Sequence, residues 1–431
     1  MNDLARNLAF ILMSLALLAG MLQAMRLLGR RAGLDAETRR KLIHAATGLY
    51  ALSFPLLFSA AWAVIALMIA AIAMLAILRL PRFSQGGLSS ALHGVSRASH
   101  GEIYLAIAIG LIFARSQHAP VLYVLPVMVI TLSDAAAALV GVNYGRRTFM
   151  VEDGSKSWEG SAAFFVLTWL ISMICLLLMT DIARQNVILT GFMAAMAATL
   201  VEAGSWKGLD NLFVPLALHV FLARYMTASP ATLVIFATLF VFAALAVLFI
   251  GRRLGVNRHA GRGFVILLFL MASITSPVNV IPPVAAIIAH VAATRLRPAG
   301  DAHADFAMLA ASAAVAIGWF FAGELAGRSA IGLFSMTFAS AASALFALAL
   351  GGWPRALAAA AIMAGYVLVL HTGAPGAFSW PVAAAGAVSI AASAAIAGAK
   401  PGLFDHARAW RVFALALAVP LMIFAYWEIS T

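Results

Sequence analysis

Apolar runs of roughly 17–22 residues recur from one end of the chain to the other, about the length at which a helix rising 1.5 Å per residue crosses a hydrocarbon layer about 30 Å thick. Short clusters of charge separate them. No stretch alternates apolar and polar residues as a half-buried strand does, so the pattern predicts α-helices throughout. In the first part the predicted spans are 8–25, 42–58, 59–78, 101–114, 121–141, 160–179, 188–204, 212–226 and 231–250. Residues 251–431 carry six or seven more, which makes the fold class all-α, a polytopic integral membrane protein with 14–16 transmembrane helices. The run Leu8–Met25 is too long for a signal peptide and lacks a small-residue cleavage site, so it reads as a retained span. The segment "SPVNVIPP" at 276–283 interrupts the second part and reads as a kink, a re-entrant loop or a turn between spans.

Composition agrees with the pattern. Of 431 residues 64% are hydrophobic and 10% charged, and the mean hydropathy is +1.00, far outside the range of soluble domains. The formal charge of +12 suggests nucleic acid only until its distribution is seen. The basic residues sit in short loops, where they set membrane orientation, and no soluble segment is left to hold a nucleic acid. Arg26, Arg30, Arg31, Arg39, Arg40 and Lys41 follow the first span and mark a cytosolic loop. Arg79, Arg82 and Arg97, then Arg146, Arg147 and Lys156, then Lys207, then Arg252, Arg253, Arg258 and Arg262 fall on the same side as the spans alternate, with the N-terminus outside. Cys175 stands alone within an apolar run and makes no internal disulfide.

Acidic residues divide unevenly, eleven in residues 1–226 and five in 227–431. The chain therefore reads as a catalytic membrane domain over 1–226 and an Ala-rich transmembrane domain of unassigned role over 227–431. Ionisable groups within spans are functional candidates because burying them unpaired is costly. Asp134 follows a wholly apolar run and needs a metal ion, a cation or a hydroxyl as partner; a helix-tying salt bridge is the plain alternative. Gly141 and Gly145 let the chain turn and expose amides, which with Lys156 suit a phosphate chain. "DGSKSWEG" is not a P-loop, because Ser155 stands where that motif requires Gly before Lys. Ser155 or Ser157 can cap the following helix, and Glu159 lies in its first turn, where capping is its plain role. Glu202, Asp210 and Asn211 offer the oxygen ligands Mg²⁺ prefers, and Asp210 is also a candidate base; solvated loop charges are the alternative. Arg40 or Lys41 shares a helix side with His44, and Glu102 stands at a span mouth beside Tyr104.

Together these residues resemble the dolichol kinase and phytol kinase family of membrane polyprenol kinases. The likeness rests on Asp134, Ala137, Gly141 and Gly145 followed by Lys156-Ser157-Trp158-Glu159-Gly160-Ser161. It extends through "RRKLIH" at 39–44, "GEIY" at 101–104 and "VEAGSWKGLDNLFVPL" at 201–216, and covers residues 35–226. The first block is shared with phosphatidate cytidylyltransferases, whose longer charged signature is absent here. Val142 stands where many relatives carry a basic residue. The resemblance implies phosphorylation of the terminal hydroxyl of an isoprenoid alcohol by a nucleoside triphosphate, typically CTP, with Mg²⁺. Lys156 with Gly141, Gly145, Ser155 and Ser157 is expected to hold the nucleotide. Asp134, Glu159 and Asp210 are expected to share metal and base duty, Glu202 and Asn211 to complete or orient the metal shell, and Arg40, Lys41, His44 and Glu102 to line the substrate side. The expected setting is a bacterial cytoplasmic membrane, with membrane lipids around the chain and the site open to the cytosol. Two other readings stand beside this one, a cytidylyltransferase making a CDP-linked lipid and a transporter.

Overall fold

The computed structural model describes residues 3–32, 36–78, 101–116, 118–151, 154–204, 208–251, 253–301, 303–373 and 379–429. Arg79, Arg82, Arg97, His100, Glu152, Asp153, Lys207 and Arg252 lie outside the described residues, as do the side chains of Arg26, Arg30, Arg31 and Arg40. Eleven helices among the described residues are long and apolar enough to cross a membrane. The chain is an all-α polytopic membrane protein, the architecture in which every backbone group is satisfied within its own segment. The 14–16 spans expected from the sequence include helices that stop short of that length, such as Gly101–Arg115, Asp210–Tyr225 and Arg258–Ile274.

Two local expectations are corrected. The run 42–58 is not one span: α2 (Ala36–Ala51) ends, and a single turn, α3 (Phe54–Leu57), restarts with Pro55 in the first turn, where its missing N–H leaves no bond unmade. Nor is the structure helical throughout. Strands β1 (Thr148–Val151) and β2 (Gly154–Ser157) pair antiparallel, with Phe149 opposite Lys156 and Thr148 opposite Ser157.

Two compact units divide the chain, Met1–Ile235 and Phe236–Thr431. The first holds α1 (Asp3–Ala32), α2, α3, α4 (Ala61–Leu78), α5 (Gly101–Arg115), α6 (Val121–Tyr144), the hairpin, α7 (Trp158–Met179), α8 (Arg184–Gly204) and α9 (Asp210–Tyr225). Helix α7 packs on both α6 and α8, while α9 packs on α5, α6 and α8. Small residues permit this: a Cβ on Gly191 of α8 would stand 3.3 Å from Met173 and Trp169 of α7. Helix α10 (Pro230–Ala246) contains the boundary.

The second unit consists of α11 (Arg258–Ile274), α12 (Ile281–Leu296), α13 (Ala304–Ala326), α14 (Ile331–Ala349), α15 (Gly352–Gly373), α16 (Trp380–Ala399) and α17 (Arg408–Ile429). The Pro-rich segment 276–283 is a turn, with one short 3₁₀ stretch leading into α12 and Pro282 and Pro283 in its first turn. Helix α14 is the centre of this unit, wrapped by α12, α15, α16 and α17, and 89% of its spanning stretch is buried. Ala and Ser make that possible by letting backbones approach closely. The loops at one end are laced together: Arg295 Nη2 donates to Arg253 O (2.7 Å), the Asn257 amide to Asp305 Oδ2 (2.7 Å), the Gly300 amide to Asp405 O (3.2 Å) and Arg408 Nη1 to Ala293 O (3.1 Å). At the other end Asn279 Nδ2 donates to Gly373 O (3.2 Å).

Candidate active site

Helix α6 carries Asp134, and two defects precede it. Pro126 has no N–H to give to the carbonyl of Leu122, one turn back, and His219 of α9 takes that place with Nδ1 3.0 Å from Leu122 O. The second defect is a π turn over Val129–Ser133. A turn of longer-register bonds among ordinary ones leaves a carbonyl at the junction short of a donor. Ile130 O has one from outside, His44 Nε2 of α2 at 3.2 Å, and His44 is buried. These bonds assign Nε2–H to His44 and Nδ1–H to His219. Asp134 follows the π turn directly.

Lys156 is delivered by the hairpin. Burial deepens along β2 as it runs into α7: Ser155 is exposed, Lys156 half-buried and Ser157 buried. Its Nζ reaches the end of α8, where it sits 2.6 Å from Glu202 Oε1 and also donates to the Glu202 carbonyl. Glu202 is only 6% exposed, and its Oε2 has no hydrogen-bond partner among the described residues. Gly208, at φ +83°, turns the chain through a conformation that favours glycine, and Asp210 then opens α9. The Asp210 carboxylate accepts the Asn211 amide at 3.1 Å, and Asn211 is buried. Asp210 lies within electrostatic reach of Asp134, Lys156 and His44, and Glu202 within reach of Lys156, Asp134 and Asp210. Residues from four separate segments, His44, Asp134, Lys156, and Glu202 with Asp210, thus form one electrostatically linked group.

The other candidates are placed differently. The expected turn at 141–145 that opens its amides is corrected. Gly141 lies inside α6, and Gly145 caps that helix with its N–H bonded to Gly141 O at 3.2 Å. Both glycines, with Gly160, let α6 pack against the start of α7: a Cβ on Gly160 would stand 2.8 Å from Ala137 O and 2.9 Å from Ser157 Oγ. Ser157 is the N-cap of α7, accepting the Gly160 amide at 3.0 Å. Glu159 is engaged with the chain that leads into the hairpin, accepting the Arg147 amide on both oxygens at 3.3 and 3.4 Å. The Trp158 amide donates to Arg147 O at 2.9 Å, so this clasp closes the hairpin base. Lys41 lies half-buried on α2 one turn before His44, and Glu102 half-buried in the first turn of α5. Arg40 belongs to α2.

Residues outside the sequence-derived site also shape it. Gly48, one turn after His44, admits Thr131 of the π turn; a Cβ there would overlap the Thr131 hydroxyl. His219 and Gly160 complete the set. The readable signal was spacing: His and Gly four apart on α2 mark a face where another backbone comes close.

Among the described residues no three of His, Cys, Asp and Glu converge as a preformed metal centre. Mg²⁺ needs only one or two carboxylates when phosphates and waters supply the rest. The like-charged pair Asp134 and Asp210, with a Glu202 oxygen lacking a partner, is a donor set whose charge and hardness fit that ion.

Residues 4–208 match the family model described as the cytidylyltransferase family. Over 194 residues the chain is 31% identical to the phytol kinase of Synechocystis sp., covering 44% of this chain and 80% of that protein. No solved structure matches the chain.

Proposed function

The chain belongs to the family of membrane polyprenol and phytol kinases, within the cytidylyltransferase-like proteins, and from that footing we propose that its first unit phosphorylates the terminal hydroxyl of an isoprenoid alcohol with CTP. The observation that carries the reading is the meeting of Lys156 with Glu202 beside Asp134 and Asp210. Phosphoryl transfer asks mainly for positioning and charge neutralisation, and this set supplies both.

Lys156 Nζ, held by Glu202, exchanges that partner for phosphate oxygens of the nucleotide. The α7 N-terminus, capped by Ser157, adds its dipole to the same anion. Asp134 and Asp210, with Asn211 beside them, would hold Mg²⁺, which when bound neutralises the phosphates. The alcohol's proton passes to a carboxylate of this pair as its oxygen bonds to the γ-phosphorus. The bond from that phosphorus to the β-phosphate oxygen breaks, and the nucleoside diphosphate leaves. The apolar tail stays in lipid while the hydroxyl reaches the interface, on the side where nucleotide is present, the cytosol.

Product analysis tests this. Purified protein in detergent is given Mg²⁺, labelled CTP, ATP or GTP, and a panel of isoprenoid alcohols. An alcohol monophosphate with equimolar nucleoside diphosphate is expected, lost in Lys156→Ala and Asp134→Asn. A lipid phosphate converted with release of pyrophosphate would instead favour the cytidylyltransferase reading, which the family match over 4–208 motivates.

A further inference from the structure

The mechanism uses Asp134 but does not explain how a carboxylate on a twice-broken helix is held in place. Each break has one outside donor: His219 at Leu122 O (3.0 Å), three turns before Asp134, and His44 at Ile130 O (3.2 Å), one turn before it. His44 is 7% exposed, and its imidazole bonds a backbone carbonyl within the protein. Its helix is locked to the same turn a second time, because only glycine at 48 leaves room for Thr131. Two contacts on one face of α2, four residues apart, thus grip the π turn that ends at Ser133.

We propose that His44 is a positioning residue for Asp134: it holds the π turn of α6 in register from α2 and so aims the carboxylate, without touching either substrate. This rests on the kinase reading and on Asp134's part in it. The role expected from the sequence, on the substrate side, is replaced by one played through the backbone. Imidazole chemistry is not required. Any side chain that presents an N–H at the position of Nε2 will serve, and glutamine is the closest in reach.

The test is steady-state kinetics, at several pH values, on wild type, His44→Ala, His44→Gln, Gly48→Ala and His219→Ala, each checked for monodispersity and thermal midpoint. In His44→Ala kcat is expected to fall about 10²-fold, the scale of an ångström's misplacement of a reacting group. KM for alcohol and for nucleotide should stay within about two-fold, as expected when only transition-state geometry is lost. His44→Gln should recover most of kcat with an unchanged pH profile. Gly48→Ala should mimic His44→Ala, and His219→Ala, at the break three turns from Asp134, should lower the thermal midpoint and reduce kcat by less than His44→Ala does. If His44→Ala does not fold, the glutamine and Gly48→Ala enzymes carry the same comparison. A raised KM at unchanged kcat would place His44 on a substrate and overturn the proposal. So would a glutamine variant as inactive as alanine with one limb of the pH profile gone, or full activity in His44→Ala. Absence of any turnover by folded wild type sinks the kinase reading itself, and this inference with it.

Discussion

At the scale of single residues, the pair Lys156 and Glu202 carries the clearest energetic asymmetry. Glu202 is 8% and Lys156 24% exposed at the side chain, and they meet at 2.6 Å. Removing one member of a buried pair strands the other charge and costs about 3–5 kcal/mol, whereas removing both is often close to neutral. Lys156→Met should therefore lower the thermal midpoint, and the double variant with Glu202→Gln should regain most of it while remaining inactive. A double variant no more stable than the single one would show that the pair does not bind Lys156 for stability. Lys156→Ala is expected to lower kcat about 10²–10³-fold, the loss typical of one preorganised donor on a developing charge. The candidate site was largely legible at this scale, since Asp134, Lys156, Glu202 and Asp210 stand out as charges amid apolar runs. The conformation of Gly141 and Gly145 was not legible. A glycine that opens a turn and one that admits a neighbouring helix look alike in sequence.

At the scale of elements, the hairpin and the broken helix do the positioning. Strand β2 brings Lys156 to Glu202 at the end of α8, and the clasp of Arg147 by Trp158 and Glu159 fixes the hairpin to the start of α7. Glu159→Ala should loosen that base. Its expected signature is a raised KM for nucleotide, measured by initial rates, with less effect on kcat, since Lys156 is presented less often in its bound position. The close packing of α7 on α6 makes Gly160→Ala costly by about 1–3 kcal/mol, as forced overpacking is, and denaturation in mixed detergent checks it. The strands read TFMV and GSKS, the first mostly apolar and the second wholly polar, so no period of two marks them and the hairpin was invisible among helical runs. Pro126 could be read, but the π turn beside it has no sequence signature of its own. The end of α2 at Ala51 was missed because Ser53 and Pro55 break an otherwise apolar run without adding a charge.

At the scale of the molecule, the phytol kinase relative is matched over 80% of its own length by 44% of this chain, and the family model matches residues 4–208. The proposed chemistry should therefore survive in a chain that stops after Gly251, where the helical stretch begun by α10 ends, with turnover within a few-fold of the full protein. Loss of activity in a folded fragment would show that the second unit contributes to the reaction. The charges of the second unit predict its orientation. The laced end carries Arg253, Arg258, Arg262, Arg295, Arg297, Lys400, Arg408 and Arg411. By the positive-inside rule such a basic end is expected on the cytosolic side, so a cysteine placed at Gly402 should react with an impermeant maleimide only from the inside. The central helix of the same unit has a consequence for biosynthesis. Helix α14 leaves the ribosome before α15, α16 and α17 exist, yet its Ser340 hydroxyl meets Ser389 of α16 at 2.8 Å. Until α16 is inserted, that hydroxyl lacks its cross-helix partner, and lipid offers it none. The nascent chain thus passes through a long, vulnerable interval, and quality control that monitors lipid-exposed polar helices would meet this protein at α14.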